Sequence, residues 1–170
     1  MAPMSATPPA TTTTAPAREA AFALDDEGAT AALAARVAAV ARAGDFIALE
    51  GDLGAGKTTF ARAFLASRAG AAIEAPSPTF TLVQTYDLPG GSIVHADLYR
   101  LSGTNETDEL GLDEDLAMTI ALVEWPDRLG TRLPRDRLVV RLEFADRPDA
   151  RRACLFAHGG WVVRLDGILS

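Results

Sequence analysis

Gly51-Asp52-Leu53-Gly54-Ala55-Gly56-Lys57-Thr58 decides how the rest of this chain is read. It fits G-x-x-x-x-G-K-[ST] at every fixed position. Its glycines let the backbone turn tightly, so successive N–H groups face inward, where phosphate oxygens bind. Upstream, Phe46-Ile47-Ala48-Leu49-Glu50 reads as a buried strand. Downstream, Thr58 to about Ala69 reads as a helix, with Phe60/Phe64 and Ala61/Leu65 at i, i+4 spacing and Gly70 as its stop. A loop between that strand and that helix also meets the positive end of the helix dipole. Lys57 adds a full charge for the β- and γ-phosphates. That charge is worth roughly 5 kcal/mol at ~3 Å and an effective dielectric of ~20, against roughly 1 in bulk water. The Thr58 hydroxyl is placed to ligate Mg2+. The competing reading is a glycine-rich surface turn with an incidental lysine. The lysine count opposes it: of 16 basic residues 15 are arginine, and the one lysine occupies the position this loop requires.

The rest of the composition sets the frame. A chain of 170 residues makes one domain. Residues 1–17 carry no charge and are mostly Ala, Thr and Pro, so they are expected to form a disordered tail, with a single domain over 18–170. A signal peptide would need a positive start and an apolar stretch, and this segment has neither. No apolar run approaches the ~18 residues of a membrane span. A cytoplasmic location with no membrane partner is expected. Cys154, His95 and His158 are too few to build a Cys/His zinc cluster. The net charge of −7 argues against a general nucleic-acid binder, which needs a basic face.

Along the chain, Asp25, Asp26 or Thr30 caps a helix running to about Ala43, with Leu33, Val37 and Val40 at helical spacing and Gly44 as its stop. Thr79–Asp87 and Ser92–Leu98 flank the turn signal Leu88-Pro89-Gly90-Gly91, which predicts a hairpin. Ile120–Trp125 reads as an apolar strand ended by Pro126. Arg137–Ala145, Arg151–Ala157 and Trp161–Leu165 read as an antiparallel meander. The expected fold is an α/β, three-layer P-loop NTPase-like domain. Its mixed sheet would include the antiparallel hairpin and the C-terminal antiparallel meander.

Catalytic groups beyond the loop must come from neighbouring strand ends. Glu124 closes the run Ile120–Val123, and Asp97 follows the apolar pair Ile93-Val94. Either acid can meet Mg2+ or a water at a sheet edge, or simply face solvent. Thr79, in Ser77-Pro78-Thr79, can reach a γ-phosphate as mobile switch loops do, or mark a turn fixed by Pro78. The six acids between 106 and 115 read as a solvated helix face or as a site for a basic partner. A Ras-type guanine site needs a second lysine, so ATP is the expected nucleotide. A P-loop small-molecule or nucleotide kinase is the alternative. Pro134 breaks any lid helix among Arg128, Arg132, Arg135 and Arg137, and the antiparallel strands depart from the repeated βα units of such kinases.

Five motifs then occur in order: Gly51–Phe60, Ser77-Pro78-Thr79-Phe80-Thr81-Leu82-Val83, His95-Ala96-Asp97-Leu98-Tyr99-Arg100-Leu101, Glu109-Leu110-Gly111-Leu112 and Leu122-Val123-Glu124-Trp125-Pro126. Over roughly residues 20–165 the chain resembles the TsaE (YjeE) family of bacterial P-loop ATPases. The resemblance implies an accessory ATPase in making threonylcarbamoyladenosine on tRNA. It would work with TsaB-like and TsaD-like proteins and meet tRNA only through them. It also implies roles for single residues. Gly54, Ala55, Gly56, Lys57, Thr58 and Thr59 would cradle the phosphates of ATP, and Thr58 and Glu124 would hold Mg2+. Asp97 would act at the γ-phosphate, Thr79 would sense it, and Trp125 would brace the site. Glu27 and Arg151 fall where the family contacts the outer side of the nucleotide. The family has Gly before that arginine; this chain has Ala150.

Overall fold

The computed structural model describes residues 16–75, 83–102, 104–112 and 116–170. Its centre is β2 (Phe46–Glu50), whose apolar residues are all buried. Alternation along the strand sends Ile47 and Leu49 to one face of a sheet and Phe46 and Ala48 to the other. β5 (Ile120–Glu124) repeats the pattern: Ile120 and Leu122 join the first core, Ala121 and Val123 the second. Two-sided burial of this kind belongs to the parallel interior of a sheet.

The sheet has seven strands in the order β1-β7-β6-β2-β5-β4-β3. β6 (Leu138–Phe144), β2, β5 and β4 (Gly91–Asp97) run parallel. Antiparallel strands close both sides. β3 (Val83–Leu88) forms the expected hairpin with β4. β7 (Arg151–Ala157) pairs antiparallel with both β6 and β1 (Arg18–Leu24). The meander therefore exists, but its third strand comes from the start of the domain. The chain there is already paired before β1 opens, because the Ala17 N–H donates to the Ala157 carbonyl (3.2 Å). Residues 1–15 of the expected tail lie outside the described residues.

Three long helices cover one face. α1 (Glu27–Val40) starts at Asp26, whose carboxylate accepts the Ala29 N–H (2.8 Å). It stops at Val40, short of the expected Ala43. Arg68, from α2 (Lys57–Ala69), donates there to the carbonyls of Ala38 (3.1 Å) and Ala41 (3.2 Å), which takes up helix-end acceptors. The opposite face is covered by the short α3 (Thr104–Asp108), turns, and the 3-10 segment Pro126–Arg132, with Arg132 paired to Asp108. The segment expected as a third meander strand, Trp161–Leu165, is instead the start of helix α4 (Trp161–Leu169). Trp161, Leu165 and Ile168 are buried at helical spacing against the core that holds α1. Among the described residues no helix is long and apolar enough to cross a membrane.

Candidate active site at the carboxyl edge of the sheet

In open α/β sheets, ligands bind outside the carboxyl ends of the strands. Three strands end together here. β2 runs into the loop Gly51–Gly56, β4 ends at Asp97 and β5 ends at Glu124. Asp97 and Glu124 are register partners, so their side chains leave the sheet on one face. That face also holds α2, which begins at Lys57 directly after the loop.

Glycine is required at both ends of the loop. Gly51 has φ +143°, and a Cβ there would lie 2.4 Å from the Leu142 carbonyl oxygen of β6. Gly56 caps α2 with φ 109°, a conformation that L side chains rarely adopt. The turn between them brings Lys57 back over its own loop. The ammonium donates to the carbonyls of Gly51 (2.5 Å) and Asp52 (3.0 Å). It also lies 4.3 Å from the centre of the Trp125 ring. Lys57 is buried, and burial pushes its pKa below the usual 10.5, while Glu124, Asp97 and Asp52 oppose that shift. Trp125 itself is held at φ 58°, the one positive φ outside glycine among the described residues. Such strain persists only where the surroundings over-determine it. Pro126 follows in the chain, Tyr99 packs 4.9 Å away, and the lysine sits over the ring.

Glu124 is buried and engaged at both oxygens. Thr58 Oγ1 donates to Oε1 at 2.9 Å, and His95 Nε2 meets Oε2 at 2.9 Å. Asp97 Oδ1 accepts the Tyr99 N–H at 3.0 Å. Gly54, Gly56, Lys57, Thr58, Thr59, Asp97, Glu124 and Trp125 line a cleft of about 210 Å3. A second cleft of about 440 Å3 shares Gly54, Gly56 and Thr59 with it and extends to Asp26, Glu27, Gly28, Asp149 and Arg151. The two clefts therefore meet at the loop and the first turn of α2.

Ten of the twelve residues expected from sequence line these two clefts, and Ala55 does not. Ala55 is buried, and its N–H donates to the Asp52 carbonyl (3.0 Å). Arg151 grips the loop backbone. It donates from Nε to the Ala55 carbonyl (3.2 Å) and from Nη2 to the Gly54 carbonyl (3.2 Å), with its guanidinium 4.6 Å from the Phe144 ring centre. Thr79 lies outside the described residues. Sequence reasoning missed His95. The signal was the spacing His95-x-Asp97 on a strand, which puts both side chains on one face.

As donors for a cation, the Thr58 hydroxyl and the Glu124 carboxylate are hard oxygens, which suits Mg2+. Among the described residues no group of three or more His, Cys, Asp or Glu could hold a metal by itself.

Residues 24–153 match the family model described as threonylcarbamoyl adenosine biosynthesis protein TsaE. The chain belongs to the TsaE family. It is 39% identical over 131 residues to the tRNA threonylcarbamoyladenosine biosynthesis protein TsaE of Rickettsia bellii, covering 77% of this chain and 90% of that protein. Against the TsaE of Bacillus subtilis the identity is 41% over 117 residues, covering 68% and 72%. The crystal structure of Bacillus subtilis YdiB superposes with a TM-score of 0.76 at 30% identity, covering 89% of this chain and 95% of that one. The fold is therefore that of a TsaE-type, P-loop NTPase-like domain. The TsaE match ends within β7, so α4 lies beyond the matched span.

Proposed function

We propose that this protein binds ATP with Mg2+ and hydrolyses it as the accessory ATPase of threonylcarbamoyladenosine formation on tRNA. In this reading it acts in the cytoplasm with TsaB-like and TsaD-like partners. The observation that carries the chemical part is the meeting of Lys57 and Thr58 with Asp97 and Glu124 at one sheet edge. Family membership supports the pathway and the partners.

In this reading the loop N–H groups and Lys57 bind the phosphates, and the ammonium offsets their charge. Thr58 and Glu124 hold Mg2+, which when bound neutralises charge on the phosphate oxygens. Asp97 orients the attacking water at the γ-phosphate, and Thr79 senses that phosphate. Glu27 and Arg151 flank the outer part of the nucleotide. Three acids, Asp52, Asp97 and Glu124, stand around one lysine, so the site favours slow turnover until docking completes its geometry. A partner's arginine is one way to complete it.

The test is ATP turnover by the purified protein, alone and then with the TsaB-like and TsaD-like proteins and tRNA. Slow turnover that rises with the partners is expected. Lys57→Ala should abolish nucleotide binding. Asp97→Asn should keep binding and lose roughly a hundredfold or more in turnover. Unchanged ATP affinity in Lys57→Ala would refute the loop assignment. Partner-indifferent transfer of phosphate to an acceptor would mean a kinase.

A further inference from the structure

His95 has no part in the functional reading above, yet it is buried completely in the middle of β4. Leu122 is its register partner on β5 and Gln84 on β3, while Ile93 precedes it and Asp97 follows it by two on the same face. An apolar side chain in β4 would bring no buried nitrogen of its own. Histidine instead leaves Nδ1 buried with no hydrogen-bond partner among the described residues. Burying a polar atom unpaired is unfavourable, so the ring must return something through its other nitrogen. That nitrogen meets Oε2 of Glu124 at 2.9 Å. A carboxylate oxygen accepts, so Nε2 is the donor in this pair.

We propose that His95 is a positioning residue for Glu124, holding Oε2 so that Oε1 stays aimed beside the Thr58 hydroxyl. A carboxylate gripped at one oxygen can swing about its last bond. One gripped at both cannot. Glu124 is gripped at both, by Thr58 on Oε1 and by His95 on Oε2. The inference rests on the reading of Thr58 and Glu124 as the Mg2+ ligands. Mg2+ demands near-ideal geometry at about 2.0–2.1 Å and tolerates a loose ligand poorly. Partners that orient metal-binding carboxylates typically change metal affinity or activity by roughly tenfold to hundredfold when removed.

Two substitutions of like chemistry and different reach separate positioning from packing. His95→Gln carries its amide to about the place of Nε2, within reach of Oε2. His95→Asn carries it only as far as Nδ1, where no partner stands. Each variant is titrated with Mg2+ in the presence of saturating ADP, followed by tryptophan fluorescence, and its thermal unfolding is recorded alongside. The expected result is a Mg2+ half-saturation raised roughly tenfold to hundredfold in His95→Asn and within about threefold of wild type in His95→Gln. ADP affinity without Mg2+ should stay the same in both. If His95→Asn does not fold, His95→Ala replaces it with the same expected shift. Equal Mg2+ dependence in both variants, raised or not, overturns the proposal, because the effect would not follow reach. A wild-type protein that binds ADP with no Mg2+ dependence at all overturns the Mg2+ assignment as well.

Discussion

Gly51 carries a constraint that no other residue type meets. Its φ of +143° is open to glycine, and a side chain would run into the Leu142 carbonyl at 2.4 Å. The atom in the way is backbone of β6, where Leu142 is held in register with Ala153 of β7. Gly51→Ala should therefore destabilise the fold by at least about 1–3 kcal/mol, the range for a residue forced into a sparse backbone region. Denaturant melts would show it, and a stability loss under a few tenths of a kcal/mol would contradict the geometry. The same substitution moves the Gly51 carbonyl, one of two that Lys57 donates to. Nucleotide affinity should fall with it, more than the stability loss alone explains at temperatures where the variant is folded.

At the scale of elements, Arg151 ties β7 to the loop after β2, two strands that are not neighbours in the sheet. Its planar fork spends donors on the carbonyls of Gly54, Ala55, Pro148 and Ala150. Arg151→Ala should weaken nucleotide binding by roughly tenfold, the equivalent of one lost hydrogen bond to a charged group. Arg151→Lys should not restore it, since an ammonium cannot span two acceptors in a fixed fork. Calorimetric titration of the three proteins with ADP decides the point, and full rescue by lysine would show that charge alone matters. Such a contact could not be read from sequence, because it joins residues 97 positions apart through backbone atoms. What was legible followed from local rules: the loop from its spacing, β2 and β5 from their apolar runs, the hairpin from Pro89 and Gly90. β1 was not legible. Three of its seven residues are alanine, and its strand state comes from pairing with β7 rather than from local preference. Helix α4 departs from the expected strand because Trp161-Val162-Val163 by itself favours a strand. Ile168, three residues beyond Leu165, completes the helical period with Trp161 and Leu165. Glu124 was found as a strand end, but its partner His95 requires the register of β4 against β5, which is a property of the sheet.

At the scale of the molecule, one titrating group links pH to stability away from the loop. His158 follows β7, is buried, and has its pKa pushed below 6.5 first by that burial and then by the charge of Arg137. A lowered pKa in the folded state means that the unfolded chain binds the proton more readily. Stability should therefore fall as pH drops below 6.5 toward the lowered value. Thermal melts at a series of pH values check it, and His158→Gln should flatten that part of the profile. A wild-type profile with the opposite slope that His158→Gln removes would show that the histidine is stabilised as its cation instead. The arginine clamp has a consequence of another kind. During synthesis the chain leaves the ribosome from its N-terminus, at roughly 5–20 residues per second. The loop emerges first, and the side chain that braces it is added 97 residues later. For on the order of 5–20 s the nascent polypeptide carries a phosphate loop with no brace. Fragments released from ribosomes that stall in that interval carry the complete motif without the arginine that clamps it.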